Sequence, residues 1–169
     1  MSTVKGRRNR DKLVVQVRRL ISTLRVPQPW DLAAFLEQVA ALLGKEIRLV
    51  PLPTGTAEGL PCGLVLERAT DIVIAYDADS SGYHADHIVL HEIGHLLLDH
   101  AGGAEDGASR SVVEILFPSM DPDSVLRVLH RSDYDDLAER QAELFASLVM
   151  SESRTDSAGS PFRRLMFLD

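Results

Sequence analysis

The sequence predicts an α+β fold in which a short β-sheet packs against one long helix. Three observations lead there. Several stretches carry apolar residues at helical spacing. Three short apolar runs, 46–51, 63–67 and 71–76, follow one another and are separated by turn-forming residues. A further helical stretch contains His91 and His95, four positions apart and so on one helix face.

In chain order, residues 11–25 place Leu13, Val17, Leu20 and Leu24 on one stripe, with Arg18 and Arg19 on the other side. Pro27 and Pro29 end that helix. Asp31 opens a second helix with the stripe Leu32, Phe35, Leu36, Val39 and Leu43, and Gly44 is its C-cap. The strand runs contain Ile47, Leu49 and Val50, then Leu64-Val65-Leu66, then Ile72-Val73-Ile74, and the last two form a hairpin across Arg68–Thr70. Asp79, Ser80 or Ser81 caps a helix that runs to about Asp99 and carries the two histidines. Residues 101–110 read as an exposed loop and 112–117 as a short apolar run of ambiguous type. Asp121-Pro122 starts a short helix to about His130. A last helix runs from about Asp133 to Met150 with the stripe Leu137, Leu144 and Leu148.

Three regions follow. Residues 1–26 are a basic N-terminal arm with an amphipathic helix, 27–150 the folded domain, and 151–169 a flexible C-terminal tail. The arm holds eight of the 18 Lys and Arg but only Asp11 of the 25 Asp and Glu, so the body is strongly acidic within a net charge of −7. A hydrophobic content of 45% fits a globular core, and no apolar run reaches the ~18 residues of a membrane span. The polar start has no signal-peptide pattern, and Cys62 is the single cysteine, which excludes an internal disulfide. These features place the protein in the cytoplasm. Direct nucleic-acid binding is disfavoured, because the body is acidic and no recognition motif is present.

His91-Glu92-Ile93-Gly94-His95 is an H-E-x-x-H string. Its two imidazoles can hold one divalent metal, Zn²⁺ by preference, while Glu92 reaches past them as a general base. The pattern suits metal-assisted hydrolysis. A catalytic zinc takes a third protein ligand, and spacing offers three sources. His100 is nearest but lies roughly 140° around the helix from His95. His84 and His87 share the stripe of His91. The third is Glu139 on the last helix, which can ligate while Glu143, one turn on, accepts a hydrogen bond from a ligand imidazole. His130, Tyr134 and Tyr83 are candidate oxyanion donors.

The stretches HEIGHLLLDH (91–100) and ERQAELFA (139–146) resemble the ImmA/IrrE family of metallopeptidases, which carries H-E-L-G-H-x-L-L on one helix and E-x-x-A-x-x-F-A on a later one. The element order from about residue 30 to 150 agrees. The resemblance implies a small zincin-like domain with His91, His95 and Glu139 as zinc ligands, Glu92 as general base and Glu143 behind a ligand. It departs at His87, where the family often has an aromatic residue, at Met150-Ser151 in place of Met-Pro, and in the long stretch from His95 to Glu139. It further implies a site-specific endopeptidase that cleaves or inactivates a helix-turn-helix repressor encoded nearby. The competing reading is a non-proteolytic, metal-stabilised regulator, a toxin–antitoxin or repressor-sequestering component.

Overall fold

A computed structural model describes residues 13–52, 63–77, 79–80, 82–99, 107–129 and 136–154. The basic arm up to Lys12, Cys62, Ser81, His100, His130, Tyr134 and the tail from Thr155 lie outside the described residues.

The fold is α+β, with five helices and one four-stranded mixed sheet. Helix α1 (13–22) turns Leu13, Val17 and Ile21 into the core, and Gln141 Nε2 donates to Gln16 Oε1 at 3.0 Å. The apolar stripe of this helix is therefore covered by its own domain. Helix α2 (Leu32–Leu43) starts where the Asp31 side chain accepts from Ala34 N at 3.0 Å and stops at Gly44, whose φ is 66°. Phe35, Leu36 and Val39 are its buried face.

The strands are β1 (Glu46–Leu52), β2 (Gly63–Arg68), β3 (Asp71–Asp77) and β4 (Val125–Leu129), in the spatial order β1-β3-β2-β4. β1 runs parallel to β3 with Glu46 opposite Asp71, and β2 pairs antiparallel with both β3 and β4. The β2–β3 turn is tied down by ion pairs from Arg68 and Arg48 to the buried Asp71 carboxylate. The hydrogen bond from Arg68 outweighs burial and, with Arg48, holds that carboxyl below its ordinary range.

Side chains alternate across a strand, so the continuous apolar runs of β2 and β3 need cover on both faces. Val65, Ile72, Ile74 and Leu129 face one core with α1, α2, helix α3 (Gly82–Leu97) and helix α5 (Asp136–Ser153). Leu64, Leu66, Val73 and Val128 face a second core closed by Val113 of helix α4 (Gly107–Leu116) and by Phe117 and Met120.

Two expectations are corrected. The Asp121-Pro122 start gives only a 3₁₀ turn (Pro122–Ser124), and the chain then enters β4 rather than a helix. Local capping is intact, since Asp121 accepts from Asp123 N at 3.0 Å. The free edge of β2 offers a ladder that a short helix could not match in burial, and Val128 and Leu129 are buried by taking it. On α5, Leu144 and Leu148 pack partly buried against the core, but the fully buried face is Ala142, Phe145, Ala146 and Val149, and Leu137 is 41% exposed. Ala142 stands where α5 approaches α3 most closely among the contacts of Gly94. A Cβ on Gly94 would stand 3.0 Å from Ala142 Cα and 3.3 Å from Phe145 Cδ1.

Candidate metal centre

The site is built where α3 and α5 pack together. The i, i+4 spacing on α3 brings the rings of His91 and His95 edge to face, 4.8 Å apart, with their Nε2 atoms at 3.0 Å. Across the groove, Glu139 on α5 places Oε1 3.3 Å from His95 Nε2 and Oε2 3.6 Å from His91 Nε2. His95 is 1% exposed, so its imidazole is held in place by the core. Of the three sources for a third ligand, the structure brings Glu139 to the histidine pair. His91, His95 and Glu139 form a group that could hold a metal ion. No other such group of three occurs among the described residues.

The spacing can be tested against metal chemistry. Ligand atoms ~2.0–2.1 Å from a tetrahedral zinc are separated by ~3.3 Å. The two imidazole nitrogens are 3.0 Å apart, and they lie 3.3 and 3.6 Å from the two different oxygens of Glu139, near that value. Two imidazoles and a carboxylate suit a borderline divalent ion such as zinc.

Glu143 stands one turn beyond Glu139. Its Oε2 is 3.2 Å from His87 Nε2 and 3.7 Å from His91 Nδ1, and Ser147 Oγ donates to its Oε1 at 3.2 Å. Burial raises this carboxyl, but the hydrogen bond and charge of His87, with help from Ser147 and His91, hold it below its ordinary value. A carboxylate facing Nδ1 favours the tautomer of His91 whose Nε2 lone pair points to Glu139. His87, a candidate ligand from its position on the stripe, is instead bound to Glu143. His84 is exposed further along the groove.

Glu92 projects to the side of the two histidines, toward the sheet. It is 6% exposed, and its Oε2 has no hydrogen-bond partner among the described residues. Burial, and then the negative charge of Glu139, push its pKa up to about 8. A buried carboxyl of this kind waits for a positive charge or a proton-donating molecule beside it. Its room is provided by Gly63 at the start of β2, where a Cβ would come within 2.4 Å of Glu92 Oε1. Sequence reasoning missed Gly63, because the contact joins a strand end to a helix and leaves no local pattern.

Tyr83, one of the three candidate oxyanion donors, lies in the first turn of α3 with the Arg154 guanidinium 4.2 Å above its ring. It is eight residues from His91, or ~12 Å along the helix axis, and is not brought to the histidine pair. No described helix is long and apolar enough to cross a membrane. No family model, curated protein or solved structure matches this chain.

Proposed function

We propose that this protein is a zinc-dependent endopeptidase with a zincin-like arrangement, in which His91, His95 and Glu139 hold the metal and Glu92 is the general base. The observation that carries the reading is the convergence from two helices of His91, His95 and Glu139, with one ligand atom each all within 4.8 Å of one another, beside a buried carboxyl whose Oε2 has no hydrogen-bond partner among the described residues. When bound, zinc supplies Lewis acidity, polarising a peptide carbonyl and acidifying water to a pKa of ~7. Glu92 Oε2 accepts the proton of the attacking water and passes it to the leaving amine. Glu143 keeps His91 oriented. His130 and Tyr134 are the remaining candidate donors to the oxyanion. The resemblance to the ImmA/IrrE family supplies the target class, a helix-turn-helix repressor encoded nearby, and makes the activity regulatory and cytoplasmic.

A non-cutting, metal-stabilised regulator would use the same ligands. The group of three candidate ligands among the described residues, with a buried carboxyl beside it, favours the hydrolytic reading. Purified full-length protein should take up one Zn²⁺, and Glu139→Gln should lose most of that uptake. Incubated with zinc and the neighbouring repressor, wild type should produce two fragments by mass spectrometry. Glu92→Gln should keep the metal and produce none. Full zinc uptake without cleavage would leave the regulator reading standing, and absence of zinc uptake would end both.

A further inference from the structure

The groove between α3 and α5 continues past the histidine pair. Beyond His87 and Glu143 it opens into a cleft of about 580 Å³ lined by Tyr83, His84, His87, Ser147, Ser151 and Arg154. Among the described residues the lining itself holds no carboxylate, and Glu143 stands at its inner end, bound to His87 and Ser147. We propose that the cleft is a subsite for an acidic side chain, aspartate or glutamate, of a peptide lying across the metal centre. The proposal rests on the peptidase reading for the identity of its ligand.

Arg154 is the anchor. Its guanidinium carbon lies over the Tyr83 ring, 4.2 Å from the centroid. This cation–π contact holds the group at the cleft wall, and a guanidinium can grip a carboxylate in bidentate fashion. Among the described residues no carboxylate pairs with Arg154, nor with Arg18, Arg19, Arg25 or Arg140, whereas Arg48, Arg68, Arg110 and Arg127 are in ion pairs. The hydroxyl of Ser151 and the imidazole of His84 supply further donors on the same walls, while Ser147 donates to Glu143. Glu143 closes the inner end, where it is bound to His87. Its negative charge drives an incoming anion toward the Arg154 end, away from the metal ligands. His84 lies seven residues before His91, about 10 Å along the helix axis. An extended peptide covers that distance in about three residues. The acidic side chain therefore sits about three residues from the bond that is cut, and the cleft reads a position on the substrate remote from the chemistry.

Two arms test the proposal with the zinc-loaded full-length protein. In the first, a mixture of synthetic peptides is digested and the products are sequenced by mass spectrometry. Wild type should favour Asp or Glu at one position about three residues from the cut, and Arg154→Glu should reverse that preference toward Lys and Arg with zinc content unchanged. Identical cleavage profiles for the two proteins would overturn the proposal. The second arm needs no hydrolysis. Acetylated and amidated glycine-rich heptapeptides with a central Asp, Asn or Lys are titrated while backbone amide resonances are followed by NMR. The blocked ends exclude recognition of a terminal carboxylate. Only the Asp peptide should shift the amides of residues 83–87 and 147–154, with affinity on the order of fivefold weaker in Arg154→Glu. Equal responses to Asp and Asn would overturn the subsite, whether or not the protein cuts peptides. Selective Asp binding without any cleavage would keep the subsite and reject the peptidase reading.

Discussion

Glu92→Gln should flatten the pH dependence of folding stability in the metal-free protein. The Glu92 carboxyl titrates at about 8 in the folded chain, against an ordinary value of 4.5, because it is buried and faces Glu139. Between those two values the folded state keeps a proton that the unfolded state has lost. Stability from this group is therefore greatest below pH 4.5, falls as the pH rises, and levels off above about 8. The full cost of ionising the group in place is on the order of 5 kcal/mol, and local relaxation reduces what is measured. The carboxyls of Glu67, Glu143 and Asp71 are shifted the other way, so their stabilising effect is lost only in the acid range below their ordinary values. From pH 5 to 8 Glu92 therefore dominates the carboxyl contribution. The assay is urea denaturation of the metal-free wild type and Glu92→Gln at pH 5.0, 6.5 and 8.0, with the difference between the two proteins cancelling histidine titration. Wild type should lose at least ~2 kcal/mol relative to the variant across that range. Parallel stability curves would refute the argument that Glu92 is held neutral by its surroundings. Zinc binding should reverse the effect, and calorimetry in buffers of different ionisation enthalpy should show about one more proton released by wild type than by Glu92→Gln at pH 7.

Gly63→Ala places a methyl group 2.4 Å from Glu92 Oε1 and should cost about 1–3 kcal/mol. In a Glu92→Ala background the same change should cost almost nothing, and equal costs in both backgrounds would remove the link between the two residues. Gly94→Ala gains ~1 kcal/mol of helix propensity yet should lower the melting temperature and weaken zinc affinity, because the added methyl meets the α5 backbone at 3.0 Å and pushes Glu139 away from His95. A raised melting temperature would contradict this. Val113→Ala, in the second core, should cost about 1–2 kcal/mol and leave zinc affinity unchanged within twofold by competition titration.

Much of this architecture can be read from local sequence. The α1 and α2 stripes, the Asp31 and Gly44 caps, the β2–β3 hairpin and the histidine pair are all determined within a few residues of chain. The readings that failed were decided at a distance. Asp121-Pro122 is a sound helix start, but the segment that follows becomes β4 because β2 has an edge to fill. The buried side of α5 cannot be chosen from its leucines alone, since the choice depends on how near α3 comes. The same long-range contact brings Glu139 to the histidine pair. Glu139 and Glu143 share one helix face, and spacing alone does not bring either carboxylate to the histidines. The resemblance of ERQAELFA to a family motif indicated Glu139, and the approach of Gly94 to Ala142 explains it physically, because it sets the turn of α5 that faces His95.

That contact also explains why the long stretch between His95 and Glu139 need not disturb the centre. Its helix α4, the following turn and half of β4 bury against the far face of the sheet, in a core that does not include α3 or α5. The side chains that orient the ligands lie in the other core, on the near face. Leu129 of β4 reaches the near core. The sheet therefore works as a partition. Changes in α4 alter how tightly the sheet is covered, while the distances among His91, His95 and Glu139 depend on two helices that contribute no residue to the core α4 closes. A segment of this kind can vary in length and composition with little effect on metal geometry, because the two faces share strands but not side chains.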